Sequence, residues 1–214
     1  MSAEPLPHAA VPTAEMSHRR FSRLLPSSLA TALAVTALGA MLIACSPRYD
    51  WRTIQSNEGA YAALYPGKPS GAAREVAIAG RKLPMTMDAA RIDETLFAVG
   101  VVTLPADDAA LRQAALESMQ AGLLGNLGPH PAEAVKTRKV KVMSAATPAV
   151  ALDGVEVQVA AVSPQDQSPR RLTARLVASG VHVYQAVVLE AGDAARDQRQ
   201  AEQVDQFLTG FHPF

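Results

Sequence analysis

The sequence predicts an α+β domain, a mainly antiparallel sheet with two covering helices, and three observations predict it. Apolar and polar residues alternate over a series of short segments, the period of half-buried strands. These segments fall in pairs across turn sequences such as Ser56-Asn57-Glu58-Gly59 and Ser179-Gly180. Two stretches replace the alternation with a helical apolar face, each opened by an acidic residue. The resulting order of strands, helix, strands, helix suits a sheet with helices packed on it.

The first strands are expected at 50–55 and 60–65, around the turn at 56–59. Tyr65-Pro66-Gly67-Lys68-Pro69 ends the second, because neither proline can donate to a ladder. Strands at 74–78 and 83–90 follow, joined by Ala79-Gly80-Arg81-Lys82. In the second of these, Leu83, Met85, Met87 and Ala89 alternate with Pro84, Thr86 and Asp88. Residues 96–103 are apolar almost throughout and read as a central strand. Pro105-Ala106-Asp107-Asp108 opens the first helix, offering a carboxylate to its free N–H groups. Leu111, Ala115, Met119 and Leu123 share a face, and Gly125, Gly128 and Pro129 stop the helix.

Alternating strands are then expected at 136–143 and 155–162, with Asp153-Gly154 as a tight-turn signal before the latter. Strands at 172–178 and 181–189 pair across Ser179-Gly180. Gly192-Asp193 introduces the last helix, in which Ala201, Val204, Leu208 and Phe211 share a face.

Of the 214 residues, 49% are hydrophobic and 19% charged, a balance that argues against disorder. Residues 51–214 suit a single α+β domain, able to bury roughly 70% of the surface its unfolded chain exposes. Formal net charge is zero, so no field favours nucleic acid as a partner. The one cysteine excludes a disulfide within the chain.

That cysteine closes an informative leader. Residues 1–17 lack hydrophobic periodicity, His18-Arg19-Arg20-Phe21-Ser22-Arg23 supplies positive charge, and residues 24–44 carry none. A basic flank followed by an apolar run is the form of an export signal. Met16, just upstream of the basic cluster, would start a leader of more usual length. The run ends in Leu42-Ile43-Ala44-Cys45, which resembles the lipobox of bacterial lipoproteins.

The resemblance implies that residues 1–44 are a signal peptide cut between Ala44 and Cys45, with a diacylglyceryl group on the Cys45 thiol. Residues 45–50 would be a lipidated tether. Ser46 stands where Asp retains enterobacterial lipoproteins in the inner membrane, so it resembles the outer-membrane default. An uncleaved anchor is the plain alternative, since the run is about long enough to span a bilayer. Pro26, the many small residues and the cysteine at the boundary stand against it. A twin-arginine signal fits worse, because Ser22 and Arg23 stand where that motif wants hydrophobic residues.

In the mature stretch, Tyr-Pro-Gly-Lys-Pro at 65–69 follows an extended hairpin, another hairpin surrounds Ala79-Gly80, and Phe207-Leu208-Thr209-Gly210-Phe211 comes near the end. This layout is similar to small bacterial proteins of uncharacterised function and to the Mog1/PsbP-like fold, an antiparallel sheet between helices. The likeness implies a binding or assembly module and no particular chemistry.

Motifs for catalysis are sparse. His130, His182 and His212 do not have the spacing of metal ligands on one helix face, and His182 is expected on an exposed strand face. Gly122, Gly125 and Gly128 fit neither a phosphate loop nor a dinucleotide turn, and are read as helix terminators. There is no Gly-x-Ser-x-Gly elbow and no cofactor motif. Lys136, Arg138, Lys139 and Lys141 form the densest basic stretch, with Arg138 facing away from Lys139 and Lys141 and sharing its side with Val140 and Val142. It is read as a solvated strand face, with contact to anionic lipid headgroups as the alternative.

Asp93-Glu94 and Asp107-Asp108 are placed in a turn and at a helix start. Tyr49, Trp51 and Tyr65 are expected to be exposed, either packed at the sheet edge or forming a contact surface for another envelope component. The expected function is a lipid-anchored, non-catalytic binding or assembly module of the cell envelope, facing the periplasm. Its expected partners are the membrane, through lipid on Cys45, and an envelope protein. The alternative is an envelope-tethered hydrolase of cell-wall or lipid material, its site assembled from residues distant in sequence.

Overall fold

The computed structural model describes residues 48–214, which form an α+β fold of mainly antiparallel sheet with two α-helices. Leu42, Ile43, Ala44 and Cys45, with the rest of the leader, lie outside the described residues. The chain runs through β1 (Arg52–Ser56), β2 (Tyr61–Tyr65), β3 (Ser70–Ile78), β4 (Arg81–Ile92) and β5 (Thr95–Thr103) before α1 (Ala109–Leu127). It continues through β6 (Val135–Met143), β7 (Ala151–Val162), β8 (Pro169–Ser179) and β9 (His182–Ala191). Short 3-10 turns then lead into α2 (Ala201–Thr209) and β10 (Phe211–Pro213).

Seven strands make one antiparallel sheet in the order β3-β4-β5-β9-β8-β7-β6, and β1-β2-β10 make a small second sheet. Alternation gives the large sheet two apolar faces, each with its own cover. On one face Phe97, Val99, Tyr184 and Val188 meet Tyr61 and Tyr65 of the small sheet, Phe207 of α2 and Phe211 of β10. On the other, Met85, Val102, Leu172 and Leu176 meet Ala115, Met119 and Leu127 of α1. Each large side chain so buried contributes roughly 1.5–3 kcal/mol, which fixes both covers on the sheet.

The expected elements are present, and the differences have local causes. Strands β3 and β4 extend to a two-residue reversal at Ala79-Gly80, both with positive φ, so Arg81 and Lys82 belong to β4. Asp153-Gly154 is no turn: it lies inside β7, with Asp153 paired to Lys141 and Gly154 opposite Val140. A Cβ at Gly154 would stand 2.9 Å from the Leu176 carbonyl oxygen, so glycine serves close strand approach there. Residues 144–150 make the β6–β7 reversal, closed by Ser144 N–H to Val150 O at 2.8 Å and Val150 N–H to Ser144 Oγ at 2.9 Å.

Gly122 and Gly125 do not stop α1. The helix runs through both to Leu127, and Gly128, with φ of 104°, terminates it. Asp108 caps its start, accepting from Leu111 N–H at 2.8 Å. Phe211 is not on the last helix, because Gly210 ends α2 and Phe211 enters β10 opposite Ala63. The chain turns where Gly210 presses on β2: a Cβ there would lie 2.6 Å from Leu64 Cβ. Ala201 is exposed, and Phe207 takes the buried place beside Leu208.

Candidate functional site

On the face that carries α2, the apolar rows of β9 give way to polar ones toward β8, β7 and β6. Arg138, Glu156, Arg175 and Ala186 form one cross-strand row; Gln158, Thr173 and Val188 form the next. Two residues further along β9, Glu190 stands opposite Arg171 on one side and Thr95 on the other. Arg138, Glu156, Gln158, Arg171, Thr173, Arg175 and Glu190, with Val204, Asp205 and Leu208 of α2, line a pocket of about 280 Å³.

Glu156 is only 2% exposed and is held from two sides. Arg175 Nε donates to its Oε2 at 2.9 Å, and Arg138 Nε donates to its Oε1 at 2.8 Å. Arg175 also donates through Nη1 to the Leu208 carbonyl at 2.9 Å, tying α2 to the sheet. Burial alone would push the Glu156 carboxyl up, but the hydrogen bonds and charges of the two arginines outweigh it and hold it below its usual range.

Glu190 is equally buried, at 2% exposure, and its carboxylate has no hydrogen-bond partner among the described residues. Burial raises it above the usual carboxylate range; the charge of Arg171 opposes the shift and that of Asp197 adds to it. Across the ladder, Thr95 Oγ1 is buried and also without a partner among the described residues. Buried polar groups are normally hydrogen-bonded, so Glu190 leaves bonding capacity unused at the pocket, and Thr95 Oγ1 leaves it unused in the sheet behind. The arrangement can accept a hydrogen-bond donor at Glu190 and offers arginine charge at Arg171 and Arg138 for an anionic group.

Of the charged and histidine residues singled out in the sequence, Arg138 belongs to this pocket, which Ala201, Val204 and Leu208 of the last helix also line. The Arg138 side of β6 carries Val140 and Val142 as expected, both packed in the core under the small sheet. Lys141 pairs with Asp153 at 2.6 Å across the β6–β7 ladder. His182 is not on an exposed face: it is half-buried beside Tyr184, and burial lowers its pKa. His130 and His212 bond through Nδ1 to the carbonyls of Gly128 and Met143, at 2.7 and 3.0 Å.

Asp93 forms an ion pair with Arg48 at 2.8 Å, Asp107 pairs with Arg112, and Asp108 is the helix cap. The aromatic residues pack rather than stand exposed. Tyr65 is wholly buried, and Trp51 stacks on Tyr49 at 5.8 Å while both meet Phe97 edge-on. Tyr49 also donates through its hydroxyl to Gln200 Oε1 at 2.5 Å. This holds residue 49, expected in the tether, against the domain.

Glu156, Glu190 and Thr95 escaped the sequence reading. The available signal was phase: Tyr184, Ala186, Val188 and Glu190 share one face of β9, so Glu190 continues an inward row. Among the described residues, no cluster of three or more His, Cys, Asp or Glu is placed to hold a metal. No helix among them is long and apolar enough to cross a membrane. The chain matches no protein-family model, and no curated protein is similar enough to be matched.

Proposed function

We propose that this chain is a lipid-anchored protein of the cell envelope whose folded domain is a non-catalytic binding module. In this reading residues 1–44, or 16–44 from the inner start, are an export signal. Cleavage after Ala44 leaves Cys45 lipidated and the domain facing the periplasm, with the outer membrane favoured by Ser46. The support for the anchor is Leu42-Ile43-Ala44-Cys45 at the end of an uncharged run behind three arginines. Each buried methylene contributes about 0.8 kcal/mol, so two or more acyl chains on one residue hold durably.

The binding reading is carried by one observation: Glu190, 2% exposed, lines the pocket beside α2 and has no hydrogen-bond partner among the described residues. A bound partner group completes its hydrogen bonding. The test is a pull-down from solubilised envelope with the wild type, Cys45→Ala and Glu190→Gln, alongside mass spectrometry of the mature N-terminal peptide. The expected result is a diacylglyceryl thioether on Cys45 and partners lost with either variant. An unmodified Cys45 still joined to Ala44 removes the anchor, and equal recovery by Glu190→Gln removes the pocket.

A second reading, an envelope-tethered hydrolase, draws on the same carboxyls. Glu156 is held down and Glu190 pushed up, and such divergence is how paired acids divide acid and base roles. Their positions count against direct cooperation. They sit two strands and four residues apart in register, on the order of 16 Å between Cα atoms. Hydrolysis of cell-wall or lipid substrates by the wild type and not by Glu190→Gln would replace the binding reading with this one.

A further inference from the structure

The opposite face of the main sheet carries a second cavity, under α1. Its floor is the row Met87, Gly100 and Gln185, in register across β4, β5 and β9. The Gln185 side chain lies over Gly100, where a Cβ would meet it at 3.0 Å and Met85 Cε at 2.5 Å. The cavity measures about 390 Å³, a size ordinary for small-molecule sites. It adjoins a smaller pocket of about 120 Å³, and Met87, Leu123 and Gln185 line both. Leu96, Ala98, Val187 and Leu189 make the smaller end almost wholly apolar.

Three features mark this groove as more than loose packing. Gln185 is 3% exposed, yet its amide has no hydrogen-bond partner among the described residues, so it faces into the cavity with its bonding unused. Gly122 gives α1 an open wall there, since a Cβ added to it meets nothing within 4 Å. Arg74 stands exposed at the rim, its guanidinium donating, among the described residues, only to Met85 Sδ, at 3.8 Å. An apolar end, a buried amide and a cation at the mouth together suit one kind of molecule.

We propose that this groove binds a single medium-length acyl chain with a carboxylate head. The chain lies among Leu96, Val187 and Leu189. The head accepts from the Gln185 amide, and the charge of Arg74 favours its ionised form. The methionines at 85, 87 and 119 are flexible and polarisable, and adapt to a chain better than branched side chains do. This site is separate from the pocket beside α2, on the other face of the sheet, and stands or falls independently of it.

The test is photolabelling of the full-length chain in phosphatidylcholine vesicles with decanoate carrying a terminal diazirine, the adducts mapped by peptide mass spectrometry. Adducts are expected in α1, β5 and β9. Gly122→Phe, which fills open space, should reduce them about tenfold or more. Unlabelled decanoate should compete well and decanol poorly, and Gln185→Leu should narrow that difference. Melting temperatures of both variants report that they are folded. Wild-type adducts confined to other segments, or undiminished labelling of folded Gly122→Phe, overturn the site. Equal competition by decanol overturns the carboxylate head.

Discussion

Arg175 faces Glu156 directly across the β7–β8 ladder, and its Nε donates to Glu156 Oε2 at 2.9 Å where neither side chain is more than 11% exposed. Arg138 reaches the same carboxylate with its own side chain 64% exposed. The two arginines are therefore unequal. Arg175→Ala leaves a buried carboxylate short of its enclosed partner and frees the Leu208 carbonyl, and should cost about 3–5 kcal/mol in urea unfolding. Arg138→Ala removes a solvent-screened contact and should cost about 1 kcal/mol or less. Equal losses would mean that burial does not divide the two contacts as their exposures indicate.

Glu190 and Glu156 should give opposite pH dependence. Glu156 is held below its unfolded value, so its contribution is present above that value, about 4.3, and lost as pH falls through the lower folded value. Glu190 is raised, chiefly by burial. The folded state then holds its proton more tightly than the unfolded state, and stability declines as pH rises from about 4.3 through the raised folded value. Glu190→Gln keeps the shape and removes this titration. The variant should exceed the wild type in stability at pH 8 by on the order of 1 kcal/mol, with the gap closing toward pH 4. A gap constant across that range would show that Glu190 does not titrate as its surroundings require.

How far the sequence revealed these features depends on what alternation can encode. Leu83 and Met85 are buried on β4 where their period placed them, and Asp108 caps α1 as its position before the apolar face implied. Asp153-Gly154 misled because a glycine demanded by a neighbouring strand looks the same as one demanded by a turn. Tyr65, beside Pro66, read as an exposed corner, whereas the small sheet folds back to bury it with Phe207. The polar pocket was hidden for a deeper reason. It arises where β7, β8, β9 and α2 are brought into register, and the phase of one strand does not say which strand lies beside it.

The glycines separate by the same logic, and substitution should separate them too. Gly125 lies inside α1, where an added Cβ meets nothing within 4 Å. Gly125→Ala should stabilise the fold by roughly 0.5–1 kcal/mol, because alanine loses less backbone freedom in a helix. This corresponds to a rise in Tm of about 1–4 °C. Gly154→Ala brings a Cβ to 2.9 Å from the Leu176 carbonyl oxygen and should cost about 1–3 kcal/mol. Thermal unfolding of the two variants checks both signs. A loss at Gly125 would place a needed contact where the structure leaves open space.

Phe97 gathers the N-terminal end of the described chain onto the core. It meets Tyr49, Trp51 and Phe207 in edge contacts, with ring centroids at 6.4, 6.2 and 5.4 Å, and is itself fully buried. Phe97→Ala should cost about 3–5 kcal/mol through the cavity it opens. Phe97→Leu fills most of that space and should cost less, but it removes the edge contacts that hold the Tyr49–Trp51 stack. Trp51 is the only tryptophan, so its fluorescence reports this end directly. In folded Phe97→Leu its emission should shift to longer wavelength and acrylamide should quench it more readily, while far-ultraviolet circular dichroism stays that of the wild type. Unchanged emission in that variant would mean that residues 49–51 are held by the Tyr49–Gln200 hydrogen bond and the Asp50 N–H to Pro66 O bond rather than by Phe97.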